Sequence, residues 1–125
     1  MVAYNFHAQF ADTVASGEKC QTIRAPRKDN RHAKRGDKLQ LYTGMRTKSC
    51  RKLRDAVCHD SCVVRLEYDK AWTFEPQELF IGNDLERFAQ SDGFACWSDM
   101  RDWFNETHGL PFIGQMIRWL DREER

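Results

Sequence analysis

The residues whose types and spacing could do chemistry lie in one short stretch, Gly17-Glu18-Lys19-Cys20-Gln21-Thr22-Ile23-Arg24. A Thr hydroxyl is a poor nucleophile until a base takes its proton. A Lys supplies that base if burial and a neighbouring Arg lower its pKa. Side chains alternate along a strand, so Thr22 and Arg24 share a face with Cys20 while Lys19 points the other way. Lys19 and Thr22 can therefore line one pocket only if Lys19 sits in the turn that precedes the strand. The same residues also read as a phosphate-contacting Lys beside an ordinary strand Thr. Cys20 is an alternative nucleophile, since basic neighbours lower a thiol pKa. A second prompt is Cys50, Cys58, His59 and Cys62, within 13 residues. Their spacing lacks the paired Cys-x-x-Cys of zinc sites, so small, partly buried thiols are expected there and no metal or other cofactor. His7, His32 and His108 show no triad or ligand spacing.

Charge gives the next constraint. The 125 residues carry a net charge of +1, which by itself argues against a polyanion binder. Residues 18–54, however, hold 13 Lys or Arg against three acids, a local charge of +10, and residues 55–125 carry −8. Such asymmetry points to a polyanionic partner, unless the two halves pair after folding. Arg27, Lys28, Arg31 and Lys34 lie in an arm with no large apolar residue, expected to be exposed. Arg46, Lys48, Arg51, Lys52 and Arg54 form a second basic group. Tyr42, Phe94 and Trp97 are aromatics that could stack on a base, with core packing favoured for Trp97. The acidic remainder disfavours wrapping by long duplex DNA. There is no run of 18 apolar residues and no secretory signal, so the expectation is a cytoplasmic protein with mostly free thiols and no membrane partner.

The elements that must position these residues follow from periodicity. A chain of this length, 41% hydrophobic, is one domain over residues 1–125 with its own core. Phe10 and Val14, four apart and followed by Gly17, predict a helix over about 8–16. Strands are expected at 19–24, 38–42, 63–68 and 112–120. The Val63–Tyr68 segment places Val64, Leu66 and Tyr68 on one face. Helices are expected over 84–91 and from about Ser98, read as an N-cap, to Gly109. The order predicts an α+β fold with a mostly β core.

These residues carry a resemblance. The Gly-x-Lys-x-x-Thr-x-Arg segment at Gly17, Lys19, Thr22 and Arg24 resembles the signature of ASCH domains, relatives of the PUA RNA-binding fold. The Gly36-Asp37 turn before a strand, the Phe88-Ala89-x-x-Asp92-Gly93-Phe94 segment and Leu41–Lys48 extend it over roughly residues 5–120. The resemblance implies a small PUA-like β-barrel with flanking helices and a cleft beside the signature. It also implies RNA or a modified nucleoside as ligand, bound by Arg24, Tyr42, Arg46 and Phe94. The arm and the second group, through Arg27, Lys28, Arg31, Lys34, Lys48 and Arg51, would hold nucleic acid. One bacterial branch of the family is an amidohydrolase of N4-acetylcytidine, whose Lys and Thr match Lys19 and Thr22. Its downstream Glu falls at Asp92, one methylene shorter, and a displacement of about 1 Å costs on the order of a hundredfold in rate. In that chemistry the acid protonates the leaving cytosine amine. The alternatives are a non-catalytic RNA-binding module, a metal-independent ribonuclease and a protein-interaction surface.

Overall fold

The computed structural model describes residues 1–29 and 31–121, with side chains to Trp119. It is α+β, with seven strands in one sheet and three α-helices. The strands are β1 (Val2–Phe6), β2 (Gln21–Arg24), β3 (Lys38–Thr43), β4 (Arg51–Leu66), β5 (Ala71–Phe74), β6 (Glu78–Phe80) and β7 (Phe112–Asp121). The helices are α1 (Ala11–Ser16), preceded by a short 3-10 turn, α2 (Gly82–Ser91) and α3 (Trp97–Thr107). Among the described residues no helix is long and apolar enough to cross a membrane.

Strand β4 is the spine. Its first half pairs with β3, its second with β5, and β7 runs antiparallel along residues 56–66. A register shift between Cys58 and Asp60 lets one strand serve these neighbours, because a bulge bends and twists the strand that carries it. The sheet extends on one side to β1, parallel to β3, and on the other to β2, antiparallel to β7. β1 and β2 are free edges that face each other. The Arg24 guanidinium spans the gap, donating from Nη2 to the main-chain oxygen of Asn5 at 2.8 Å. The backbone ladder therefore does not close, and the sheet falls short of the expected barrel.

Two apolar clusters cover the sheet's faces. Tyr4, Phe6, Phe10, Val14, Leu39, Leu41, Ile117 and Trp119 form one cluster, to which α1 contributes Val14. Ile23, Val64, Leu66, Leu85, Phe88, Trp97, Met100, Phe104 and Met116 pack β4, β7 and the helices α2 and α3 together. Phe94 and Trp103 touch both clusters.

Several expected elements stand as read and others need correction. Gly17 ends α1 at φ +89°, in the left-handed region that a glycine adopts without Cβ strain. Cys96, not Ser98, is the N-cap of α3; Ser98 lies inside the helix, and the Trp97 amide donates to the Glu86 carboxylate at 2.9 Å. That carboxylate takes the place of a capping side chain. The strand expected at 63–68 starts twelve residues earlier, and its face does not extend to Tyr68, which is 63% exposed under the Arg101 guanidinium. Strands β1, β5 and β6 have no counterpart in the expectation. The basic arm is partly tied down rather than wholly exposed: Ala33 is buried and His32 stacks on Tyr4.

Gly114 sets how closely β2 lies on β7. A Cβ there would stand 2.6 Å from the Arg24 carbonyl oxygen and 2.7 Å from the Phe112 ring. Backbone cannot yield as a flexible side chain does. Gly114→Ala should cost about 1–3 kcal/mol, measured by urea unfolding; an unchanged midpoint would contradict this packing.

Candidate active site

The gap between β1 and β2 opens into a cavity of about 260 Å³. Its polar lining comes from Asn5, Lys19, Thr22, Arg24 and Asp92, and its apolar lining chiefly from Phe6, Phe10, Phe94 and Trp103. β2 starts at Gln21, so Lys19 lies in the turn after Gly17, as a shared pocket with Thr22 requires. The turn is held by the Lys19 amide donating to the Thr13 carbonyl and the Cys20 amide to the Ser91 carbonyl.

Lys19 and Asp92 are each 3% exposed and meet as a buried ion pair, Nζ to Oδ2 at 3.6 Å. The ammonium also donates to the Asp92 carbonyl oxygen. It lies over the Phe10 ring, 4.9 Å from the centroid, and within 5.7 Å of Phe6. Gln21 approaches the pair from behind, its Nε2 donating to Asp92 Oδ1 and to the Phe88 carbonyl, both at 3.4 Å. Gly93 makes the approach possible. It sits at φ +92°, and a Cβ there would come within 2.9 Å of Lys19 Cδ.

Burial shifts both members toward neutrality. Desolvation lowers Lys19, with Asp92 pulling it back up and Arg24 adding to the fall. Desolvation raises the Asp92 carboxyl to about 6, against the opposing pull of Lys19, Gln21 and Arg24. The two proton affinities are thus drawn toward each other, which eases proton transfer within the pair. Arg24 is pulled down to about 10 by burial and stays cationic at neutral pH. Its Nε donates to Thr22 Oγ1 at 2.9 Å, and its guanidinium lies 4.8 Å from the Phe6 ring centroid. This bond holds positive charge against the oxygen where a Thr alkoxide would form, and it leaves the hydroxyl proton free to be taken.

Of the residues singled out in the sequence, Lys19, Thr22, Arg24, Asp92 and Phe94 line the one cavity. Tyr42 and Arg46 do not line it. Tyr42 alternates with the buried Leu39 and Leu41 of β3, and its hydroxyl donates to Gln40; Arg46 lies on the turn between β3 and β4. Trp97 is core, 6% exposed, with Nε1 donating to the Tyr68 carbonyl. Cys20 adjoins the opposite side of β2, near Glu78 and Arg118, and burial raises its thiol pKa, which removes the case for it as nucleophile. Cys58 and Cys62 are buried and burial raises both, Cys58 to about 12. Among the described residues no three His, Cys, Asp or Glu converge as metal ligands.

The fold also recruits residues that spacing did not reveal. His7 follows β1 and His108 caps α3, yet both reach the cavity. Trp103 bridges them, with ring centroids 6.1 Å from His7 and 6.3 Å from His108. Asn5 joins the cavity to the β3–β4 turn, its Oδ1 accepting from the Met45 amide at 3.0 Å.

Basic residues border this opening. The arm starts at Ala25, which lines the cavity, and Arg27 stacks on Tyr4 of β1. In the +10 segment, carboxylate partners within the described residues are found for Lys19, Arg31 and Lys52, whereas Lys28, Lys34, Lys48 and Arg51 have none. Pairing between the two halves thus does not absorb the charge.

The raised Asp92 pKa fixes the sign of a pH effect. The unfolded carboxyl titrates near 3.8 and the folded one near 6, so the native state gains as pH falls through 6 and the gain is complete below 3.8. Wild type should therefore gain stability relative to Asp92→Asn between about pH 7 and pH 4, by urea unfolding at both. A difference that shrinks toward acid would contradict the assignment. At neutral pH, Lys19→Ala should cost about 3–5 kcal/mol, because it strands the carboxylate.

No protein-family model, curated protein or solved structure matches the chain.

Proposed function

We propose that the protein is a metal-independent amidohydrolase that removes the acyl group from an N4-acylated cytosine, presented as a nucleoside or within RNA. The observation that carries this reading is the gathering of Lys19, Thr22, Arg24 and Asp92 on one aromatic-lined cavity. The cavity is of a size to take one planar base with a small acyl group, and too small for a duplex. Phe6, Phe10, Phe94 and Trp103 offer faces and edges for such a ring. The resemblance to ASCH domains supports the same substrate class, and the open sheet is compatible with a PUA-like barrel left unclosed at the cleft.

In this mechanism Lys19, as the free amine, takes the Thr22 proton while Arg24 steadies the developing alkoxide. Thr22 Oγ1 attacks the acyl carbonyl carbon. The C–N4 bond breaks, Asp92 delivers its proton to N4, and cytosine leaves as the amine. Water then attacks the Thr22 acyl ester, giving one proton to Asp92 and leaving the other on the released acid, while the departing Thr22 alkoxide takes back the proton held by Lys19. The released acid carries the acyl group away. Every proton is accounted for within the Lys19–Asp92 pair, so the reading needs no cofactor. Incubation with N4-acetylcytidine should yield cytidine and acetate. Lys19→Ala or Thr22→Ala should lower turnover by at least about a hundredfold. No turnover by wild type, or full turnover by Lys19→Ala, would sink the proposal.

A second reading, a binding module for single-stranded RNA, draws on the basic arm and the β3–β4 turn, where Lys28, Lys34, Lys48 and Arg51 have no carboxylate partner among the described residues. Arg27, Lys28, Arg31, Lys34, Lys48 and Arg51 then track the phosphates while a base enters the cavity. Neutralising Arg27, Lys28 and Arg31 together should reduce the slope of log affinity against log salt by about two. An unchanged slope removes the arm from the interface.

A further inference from the structure

The basic arm is fastened to the sheet by a hydrogen-bond relay through Tyr4 and His32. The Ala33 amide donates to the Tyr4 hydroxyl oxygen at 3.0 Å. The Ala25 carbonyl can only accept, so His32 Nε2, 2.9 Å away, carries a proton. Tyr4 and His32 Nδ1 lie 3.0 Å apart; in the neutral ring, with its proton on Nε2, Nδ1 accepts from the Tyr4 hydroxyl. The two rings are stacked at 6.0 Å and 9°. The neutral His32 ring, favoured by its burial, ties both ends of the arm, at 25 and 32–33, to the buried Tyr4 of β1.

We propose that this relay is a proton-operated clasp, in which protonation of His32 releases the arm beside the cavity. A proton on Nδ1 makes it a donor toward Tyr4. The hydroxyl must then accept from both His32 and Ala33, and its own hydrogen loses its acceptor in a buried site. Charges around the ring oppose protonation. Arg27 of the arm and Arg24 of β2 repel an imidazolium, Asp29 of the arm favours it, and Tyr4 of β1 is neutral, its pKa raised by burial. Burial and these arginines lower His32, so the clasp stays shut near neutrality and opens as pH falls below the ordinary histidine range. A polyanion laid against Arg27 would offset the repulsion. Proton and polyanion therefore act in the same direction, and each strengthens the other's binding. This last consequence rests on the polyanion reading of the arm, whereas the clasp itself does not.

The test follows Ala33 amide hydrogen exchange and the His32 ring resonances by NMR from about pH 7.5 to pH 4.5, with rates corrected for intrinsic pH dependence. The proposal expects Ala33 protection to fall roughly tenfold with the same midpoint as His32, while β4 amides stay protected. His32→Phe keeps a ring on Tyr4 without a titrating nitrogen and should abolish the step. Asp92 also takes up a proton in this range, but its effect reports at Gln21 and survives His32→Phe. Constant Ala33 protection across the His32 titration, or a step retained in His32→Phe, overturns the clasp. With the clasp upheld, RNA affinity that ignores pH would discard only its link to the polyanion.

Discussion

A lysine and an aspartate sharing a dry site is the constraint from which the rest of this molecule follows. Two charges 97% removed from water are tolerated only when paired and hydrogen-bonded. The pair imposes demands on chain segments 73 residues apart. Gly17 must turn the chain so that Lys19 leaves the strand before alternation begins. Gly93 must lack a Cβ so that the lysine stem can pass. Gln21 and the end of α2 must close the far side, where the remaining carboxylate oxygen is satisfied. Replacing the pair by apolar residues would be neutral or stabilising in many proteins. A buried ion pair lining an open cavity is thus a candidate functional site, because perturbed groups cluster in such clefts.

The open sheet belongs to the same arrangement. A ladder between β1 and β2 would occupy the space in which Asn5, Phe6, Thr22 and Arg24 now line the cavity. Arg24 instead joins the two edges with a single hydrogen bond to Asn5 and keeps its Nε on Thr22. One guanidinium thus closes the fold mechanically and polarises the candidate nucleophile. The edge strand β1 also carries attachments of both basic segments, through Tyr4 to the arm and through Asn5 and Phe6 to the end of β3 and the turn after it. Cavity and basic segments thus share one scaffold.

What was legible in the sequence was local. The glycine stop at 17, the alternation in 38–42 and the apolar spacing of 85, 88 and 89 depend on neighbours in the chain, and each stands. The Gly17–Arg24 segment carried its own geometric condition, because side chains two apart in a strand share a face. What was hidden depends on distant partners. β4 is disguised by Arg51, Lys52, Arg54 and Asp55, whose charges break the alternation although the strand is continuous. His7 and His108 lie 101 residues apart and reach one cavity only because β1 and α3 flank the same opening. Gln21 gave no signal, since a buried amide is meaningful only once Asp92 is seen beside it. β1 did carry one, in the alternation of Val2, Tyr4 and Phe6, and it is strand-like for that reason.

The central claim is that Lys19 and Asp92 form a desolvated pair poised to exchange a proton, and it is tested most directly at the carboxyl carbon of Asp92. Its 13C shift, followed through a pH titration by NMR, should show a midpoint near 6. The midpoint should rise further in Lys19→Met, which removes the cation that holds it down. A midpoint near the ordinary 3.8, unmoved by Lys19→Met, would contradict the account.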